Sequence, residues 1–210
     1  MRIVGGDWRG RTIAAPQGRD TRPTIDRVRE SIASMVISRL GGLDGTSVLD
    51  AFAGSGAMGL EMLSRGATHA TFYDCDAKAL ACIRANVEKM GADRTRASVA
   101  RGDVCLAAQR GRMPGAPFDL VLLDPPYAMA AADVSSLVAS LAARGALADG
   151  CVVIYERDGH ALTLDVPGLA PTGSKTYGAT AVDAFAWEPG AAPGADSDAE
   201  PGEREGEERL

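Results

Sequence analysis

The strongest constraint in this chain is a strand that cannot continue. Phe118-Asp119-Leu120-Val121-Leu122-Leu123 is an apolar run of strand length, and it leads straight into Asp124-Pro125-Pro126-Tyr127. Neither proline can donate a backbone hydrogen bond, so a sheet ladder must stop there, and their fixed φ makes the turn stiff. The C-terminal edge of this strand therefore presents a carboxylate, two rigid carbonyls and an aromatic ring. In open α/β sheets that edge is where ligands bind. A plain strand-ending turn would read the same way locally, since Asp-Pro is a common turn starter, so the rest of the chain must decide.

Other strand-length runs in the chain also end in acids. Ser47-Val48-Leu49-Asp50 reads as a buried strand, followed by Ala51-Phe52-Ala53-Gly54-Ser55-Gly56-Ala57-Met58-Gly59 and a helix to about Arg65. Gly54, Gly56 and Gly59 match Gly-x-Gly-x-x-Gly literally, and small residues allow close approach of backbone to a ligand. A second strand, Ala70–Tyr73, ends in Asp74, placed to accept both ribose hydroxyls of an adenosine. A third strand over Thr95–Ala100 is followed by Asp103, and a fifth, Cys151–Tyr155, ends at Glu156. Helices are expected from Asp76 to about Met90, from Asp103 to about Arg112 and over 130–144, with a terminal hairpin over 171–187. No Lys-Ser/Thr follows the glycines, so this is not the phosphate clamp of nucleotide triphosphatases. Acids stand where a pyrophosphate binder would avoid them. That favours an adenosine ligand that lacks phosphates and carries positive charge, such as S-adenosylmethionine.

The totals fit one ordinary domain with a real core: 210 residues, 46% hydrophobic and 24% charged. No apolar run approaches the roughly 18 residues of a membrane span, and the first residues lack a signal-peptide core, so a cytoplasmic location is expected. Cys75, Cys82, Cys105 and Cys151 are scattered, which suggests buried free thiols, and neither His69 nor His160 has ligand partners at metal spacing. Charge is segregated. Residues 189–210 hold seven acids against two bases and read as a disordered tail, whereas residues 1–39 hold eight arginines against four acids. The front, 1–40, reads as a basic β-arm over 2–15 followed by a helix with Thr24 as N-cap and a stripe of Ile25, Val28, Ile32, Met35 and Val36. Arg22, Arg27 and Arg29 cluster at that helix start, where they oppose the helix dipole, so a bound anion is the expected reason for them.

Together these residues resemble a known family. The loop Phe52-Ala53-Gly54-Ser55-Gly56, the strand-end acid and Asp124-Pro125-Pro126-Tyr127 resemble class I methyltransferases acting on exocyclic amines. With Gly5-Gly6, Arg9-Gly10-Arg11, the run Arg22-Pro23-Thr24 and Asp26-Arg27-Val28-Arg29-Glu30, Gly59-Leu60-Glu61 and Ser64-Arg65-Gly66-Ala67, the chain is similar to the RsmD family of bacterial 16S ribosomal RNA guanine-N2 methyltransferases over roughly residues 1–187. The resemblance implies a Rossmann-like, seven-stranded, mostly parallel sheet with an antiparallel C-terminal hairpin, over a methyltransferase domain at 41–188. It implies S-adenosylmethionine as cofactor, with Asp50, Phe52, Gly54, Ser55 and Gly56 along its methionine part and Asp74 on the ribose. Asp103 and the Val104 backbone would meet the adenine edge, and Arg22, Pro23 and Thr24 would fold over the cofactor. It further implies that Arg9, Arg11, Arg27 and Arg29 touch RNA and that the target is guanine 966 of 16S rRNA. Separately, a compact domain with little net charge would grip naked RNA weakly, so the assembled small subunit is the expected substrate, and a monomer is expected.

An exocyclic amine is a poor nucleophile because its lone pair is delocalised into the ring. Asp124 and the Pro125 carbonyl are the acceptors available for its N–H hydrogens, Pro126 stiffens the turn, and Tyr127 offers a stacking face for a flipped base. Two rivals share parts of this pattern. A DNA adenine-N6 methyltransferase would be expected to carry a target-recognition domain, for which this chain has no room. A protein glutamine methyltransferase usually has Asn in place of Asp124.

Overall fold

The computed structural model describes residues 1–16 and 26–190. The expected Thr24 cap, the Arg22 and Thr24 cofactor contacts and the disordered tail from 191 onward lie outside the described residues. Helix α1 runs Asp26–Leu40. Then β1 (Ser47–Asp50), α2 (Ala57–Ser64), β2 (His69–Asp74), α3 (Ala77–Met90), β3 (Ala97–Arg101), α4 (Val104–Gln109), β4 (Phe118–Leu123) and α5 (Ala131–Ala143) alternate, and β5 (Leu147–Asp158), β6 (Leu169–Tyr177) and β7 (Thr180–Trp187) close the fold.

The seven strands lie in the order β3-β2-β1-β4-β5-β7-β6, parallel through β5, with β7 antiparallel to both β5 and β6. Strand succession reverses between β1 and β4, so a crevice opens above their C-terminal ends. Helices α1, α2 and α3 cover one face around Val28, Ile32, Leu60, Phe72 and Ile83, and α4 and α5 cover the other around Ala108, Val121, Leu137 and Leu141. Both faces of the central strands are buried, and for that reason they read as continuous apolar runs rather than as alternation.

Local chemistry sets the element boundaries. Asp76 caps α3 by accepting from the Lys78 N–H, and Asp103 caps α4 by accepting from Cys105 and Leu106. β4 stops at Leu123, one residue before the Asp-Pro-Pro turn, and the Pro126 carbonyl then accepts from Met129 N–H to close that turn. β5 is longer than the expected Cys151–Tyr155. Gly150 takes φ +74 and the register shifts between Phe118 and Leu120, so the ladder passes the Asp149-Gly150 breaker as an irregularity. Beyond Tyr155 the strand goes on pairing with β7 as far as Asp158.

The arm is not a regular hairpin. A single antiparallel bridge joins Arg2 and Thr12, the N–H groups of Ile3, Gly10 and Ile13 donate to the carbonyls of Arg11, Ile3 and Met1, and side chains of α2 and α3 fasten the arm to the body. The fully buried Glu61 carboxylate accepts from the Val4 and Gly5 N–H groups at 2.8 Å each and from Arg65 Nε at 2.7 Å. Ser64 Oγ donates to the Gly5 carbonyl and accepts from Trp8 N–H, and Asp7 N–H donates to the Ser64 carbonyl. Gly6, at φ +75, lies so close that a Cβ would sit 1.8 Å from the Ser64 oxygen. Asn86 on α3 accepts from Ala14 N–H and donates to the carbonyls of Ala14 and of Ser55, so one side chain ties the arm to the glycine loop. Ile3, Trp8 and Ile13 thereby join the same core as α1 and the sheet.

Candidate active site

Strand alternation selects the site. Val48, Phe72, Leu122 and Ile154 face α1–α3, whereas Leu49, Tyr73, Leu123 and Tyr155 face α4 and α5. With a period of two, Asp50, Asp74, Asp124 and Glu156 all fall on the α1–α3 side, at the C-terminal ends of four adjacent strands. They line one cavity of about 1040 Å³. Its floor is Phe52, Ala53, Gly54 and Ser55; one wall is Asp103, Val104 and Cys105; Pro125, Pro126 and Tyr127 form the lip.

The glycine loop is held from below. Asp74 Oδ2 accepts from Gly54 N–H at 2.9 Å and its Oδ1 accepts from Asp76 N–H at 2.9 Å. Asp50 Oδ2 accepts from Gly59 N–H at 2.9 Å, in the first turn of α2, where the helix dipole favours a carboxylate. A side chain on Gly59 would put its Cβ 2.4 Å from the Phe72 ring. Gly56 is placed differently from its expected role. It is not on the cavity wall but one step back, where its φ of +77 turns the chain into α2 and its N–H donates to the Ala53 carbonyl.

The electrostatics are those of acids crowded at one sheet edge. Burial pushes Asp50 up to about 7; the Gly59 N–H opposes that shift, while the charges of Asp124 and Asp74 add to it. Burial in the cleft lifts Asp124 to about 6, although its side chain keeps open surface onto the cavity. Burial and the charge of Asp124 lift Glu156 to about 8. For Asp50 the sign is clear: a folded value above the unfolded one gives stability present at low pH and lost as pH rises through about 7. Asp50→Asn keeps an acceptor for the Gly59 N–H and removes the charge. The protein without ligand should therefore gain roughly 1–3 kcal/mol over the parent at pH 8, and little at pH 4. Thermal unfolding across that range checks it, and a pH-independent difference would sink the assignment.

The basic front divides. Arg9 and Arg27 are exposed. Arg11 is exposed too, but its guanidinium donates to the Lys89 and Met90 carbonyls at the end of α3, where a cation meets the negative end of the dipole. Arg29 corrects the expectation of an RNA contact. It is 1% exposed, and it donates to the Arg2 carbonyl and to Asp26 at 2.6 Å. It borders the cavity from inside the fold, so an acid and a carbonyl, rather than an external anion, account for a cation at this helix start.

Two contributors have no role assigned from the sequence. Glu156 is legible there as the acid after the fifth strand's apolar run, and the structure sets it two residues before the end of β5, beside Asp124. Met1 lines the cavity and accepts a hydrogen bond from Ser55 Oγ through its sulfur at 3.5 Å, a placement no local pattern encodes. The four cysteines are free thiols as expected, but only Cys151 is buried. Among the described residues no group of His, Cys, Asp and Glu side chains could hold a metal ion, and no helix is long and apolar enough to cross a membrane.

A 3-2-1-4-5-7-6 sheet, with a glycine loop after β1, an acid ending β2 and an Asp-Pro-Pro-Tyr lip on β4, defines a Rossmann-like class I methyltransferase fold. More narrowly, the chain belongs to the family described as conserved hypothetical protein 95, whose model matches residues 1–186; this is the RsmD family. It is 34% identical over 183 residues to the "Putative rRNA methyltransferase YlbH" of Bacillus subtilis (strain 168), covering 87% of this chain and 96% of that one. It is 38% identical over 127 residues to the ribosomal RNA small subunit methyltransferase D of Escherichia coli (strain K12), a match spanning 60% of each chain. The solved structure titled "Putative methyltransferase yhhF from Escherichia coli" superposes with a TM-score of 0.73 at 30% identity, covering 90% of this chain and 98% of that one.

Proposed function

We propose that this protein transfers a methyl group from S-adenosylmethionine to the exocyclic N2 of a guanine in 16S ribosomal RNA, at position 966 by family, on the assembled small subunit. The observation that carries the reading is the lip. Tyr127 is 71% exposed, beside Asp124 and two prolines, over a cavity that sets strand-end acids among apolar and small residues. A large exposed aromatic flanked by a carboxylate suits an extruded base, which stacks on the ring and presents its amine to the acid.

The cavity fits the cofactor by its donor set. Carboxyls at four strand ends suit the hydroxyls and cationic centre of S-adenosylmethionine and would repel phosphates. Asp74 takes the ribose hydroxyls, Asp103 and the Val104 backbone meet the adenine edge, and Asp50, Phe52, Gly54 and Ser55 follow the methionine part. When bound, the cofactor supplies an activated methyl on a sulfonium. The protein's residues then position the amine: Asp124 and the Pro125 carbonyl accept its N–H hydrogens, so that the nitrogen can pyramidalise toward the methyl. Asp124 or water takes the proton released after transfer. Arg9 and Arg27 are the exposed cations that face RNA in this reading. A domain with so little net charge outside its tail grips free RNA weakly, which favours the assembled subunit.

Methylation of intact small subunits and of extracted RNA, with mass mapping of the modified nucleotide, tests the proposal. A single N2-methylguanine is expected, with intact subunits preferred; methylation only of DNA or protein would overturn it. Asp74→Ala should weaken S-adenosylmethionine by roughly 10–100-fold, the loss of charge-assisted hydrogen bonds worth about 1.5–3 kcal/mol, and it should affect the chemical step less. An unchanged dissociation constant by calorimetry would remove Asp74 from the ribose.

A further inference from the structure

Glu156 is the chemical group of the site that the reading above does not use. Leu123 pairs with Tyr155 in the β4–β5 ladder, so the next residues, Asp124 and Glu156, stand side by side on strands about 4.8 Å apart. Alternation aims both into the cavity, and both line it. Among the described residues neither carboxyl receives a hydrogen bond or a cation, whereas Asp50, Asp74 and Asp103 each accept from backbone N–H groups. Two adjacent acids without a counter-ion do not both ionise readily; they hold one proton between them.

One proton on such a pair makes a pattern. The ionised member only accepts, and the neutral member can donate. The Watson–Crick edge of guanine presents its N2 amine and N1–H as adjacent donors and O6 as an acceptor. Resting on the proposed function, we propose that Glu156 is a specificity-determining residue: as a neutral acid it donates a hydrogen bond to O6 of the target guanine while Asp124 accepts from N1–H and N2. Adenine with its amine at Asp124 would turn a lone pair at N1 toward the carboxylate and a C–H toward the Glu156 proton. It would lose both contacts and leave polar groups unpaired in the cleft.

The location of the proton follows the environment. Burial and the neighbouring charge hold Glu156 near 8, and burial holds Asp124 near 6. Among the described residues the other ionisable groups lining the same cavity are Asp50 on β1, Asp74 on β2, Cys75 after it, Asp103 before α4, Cys105 on α4, Tyr127 on the lip, Asp158 further along β5, Arg29 on α1, Tyr177 on β6 and the amino group of Met1. The acids among them work against a second negative charge on the pair; Arg29 is occupied by Asp26 and the Arg2 carbonyl. Transfer to guanine should then fall at low pH as Asp124 protonates through about 6, and at high pH as Glu156 ionises through about 8.

The test is single-turnover methylation of small subunits at saturating S-adenosylmethionine between pH 5 and 9.5, for the parent, Glu156→Ala and Glu156→Gln. Glu156→Ala should lose roughly 10–100-fold in rate with little change in cofactor affinity, the size expected when a hydrogen bond made in the reacting complex is removed. Gln carries a permanent donor, so Glu156→Gln should recover most of that loss and flatten the alkaline limb. If Gln is as impaired as Ala, the group acts as an anion and the proposal fails. If Ala matches the parent, Glu156 does not read the base. A parent that methylates no guanine would overturn the proposed function, and this inference with it. A carbon-13 carboxyl titration of the free protein reads the pair independently of activity: one proton retained at neutral pH supports the assignment, and two ionised carboxylates at pH 7 refute it.

Discussion

Asp124→Asn should lower single-turnover transfer to guanine by about 10²-fold or more while leaving the fold and S-adenosylmethionine affinity close to the parent. The substitution is isosteric, and Asp124 makes no hydrogen bond to the protein among the described residues, so the framework loses nothing. The loss falls on the base. A carboxylate is acceptor-only and can match N1–H and the N2 amine together, whereas an amide turns a donor toward one of them. The variant also removes a neighbouring charge that raises Glu156. The alkaline limb of the residual activity should therefore move to lower pH. Near-parental rates for Asp124→Asn would show that the charge of this side chain does not matter, and the argument for guanine selection would fail with it.

The second large effect is expected far from the chemistry. Glu61→Ala should cost about 3–5 kcal/mol of stability, the range for removing one partner of a buried, hydrogen-bonded charge. Glu61 is fully buried, and its loss strands the Val4 and Gly5 N–H groups and the Arg65 guanidinium together. The arm carries Met1 and Pro16 on the cavity wall, so cofactor binding should weaken in the same variant. Urea denaturation measures the first effect and calorimetry the second. A stability change under about 1 kcal/mol would show that Ile3, Trp8 and Ile13 together with the Ser64 and Asn86 hydrogen bonds suffice to hold the arm and that the carboxylate is incidental.

Both effects rest on groups whose importance was legible in the sequence to different degrees. The strand-end acids Asp50, Asp74 and Asp124 could be read directly, because an apolar run, a turn residue and an acid at one edge are local events along the chain. The glycine loop and the Asp-Pro-Pro stop have the same character: φ preferences and missing N–H donors act on neighbouring residues, whatever the tertiary context. The Asp76 cap and the edges of α3 could be placed for the same reason. Arg29 could not be read correctly. From the sequence it is one more cation on a basic front, and only the packing of α1 against the arm shows it inside the protein with Asp26 and the Arg2 carbonyl as partners.

The sequence by itself determined the alternation of strands and helices, the acids at the strand ends and the rigid lip at Asp124–Tyr127, because each depends on contacts within a few residues. Only the tertiary structure decided which of these meet. That β4 lies between β1 and β5 is a matter of sheet order, and it brings Glu156 beside Asp124 across 32 positions of sequence. That Glu61 and Asn86 hold the arm depends on side chains from α2 and α3 reaching a segment more than fifty residues away, and Met1 meets Ser55 of the glycine loop across a similar separation. Such pairings are set by burial and by satisfying backbone donors across the whole fold, and no local propensity carries that information.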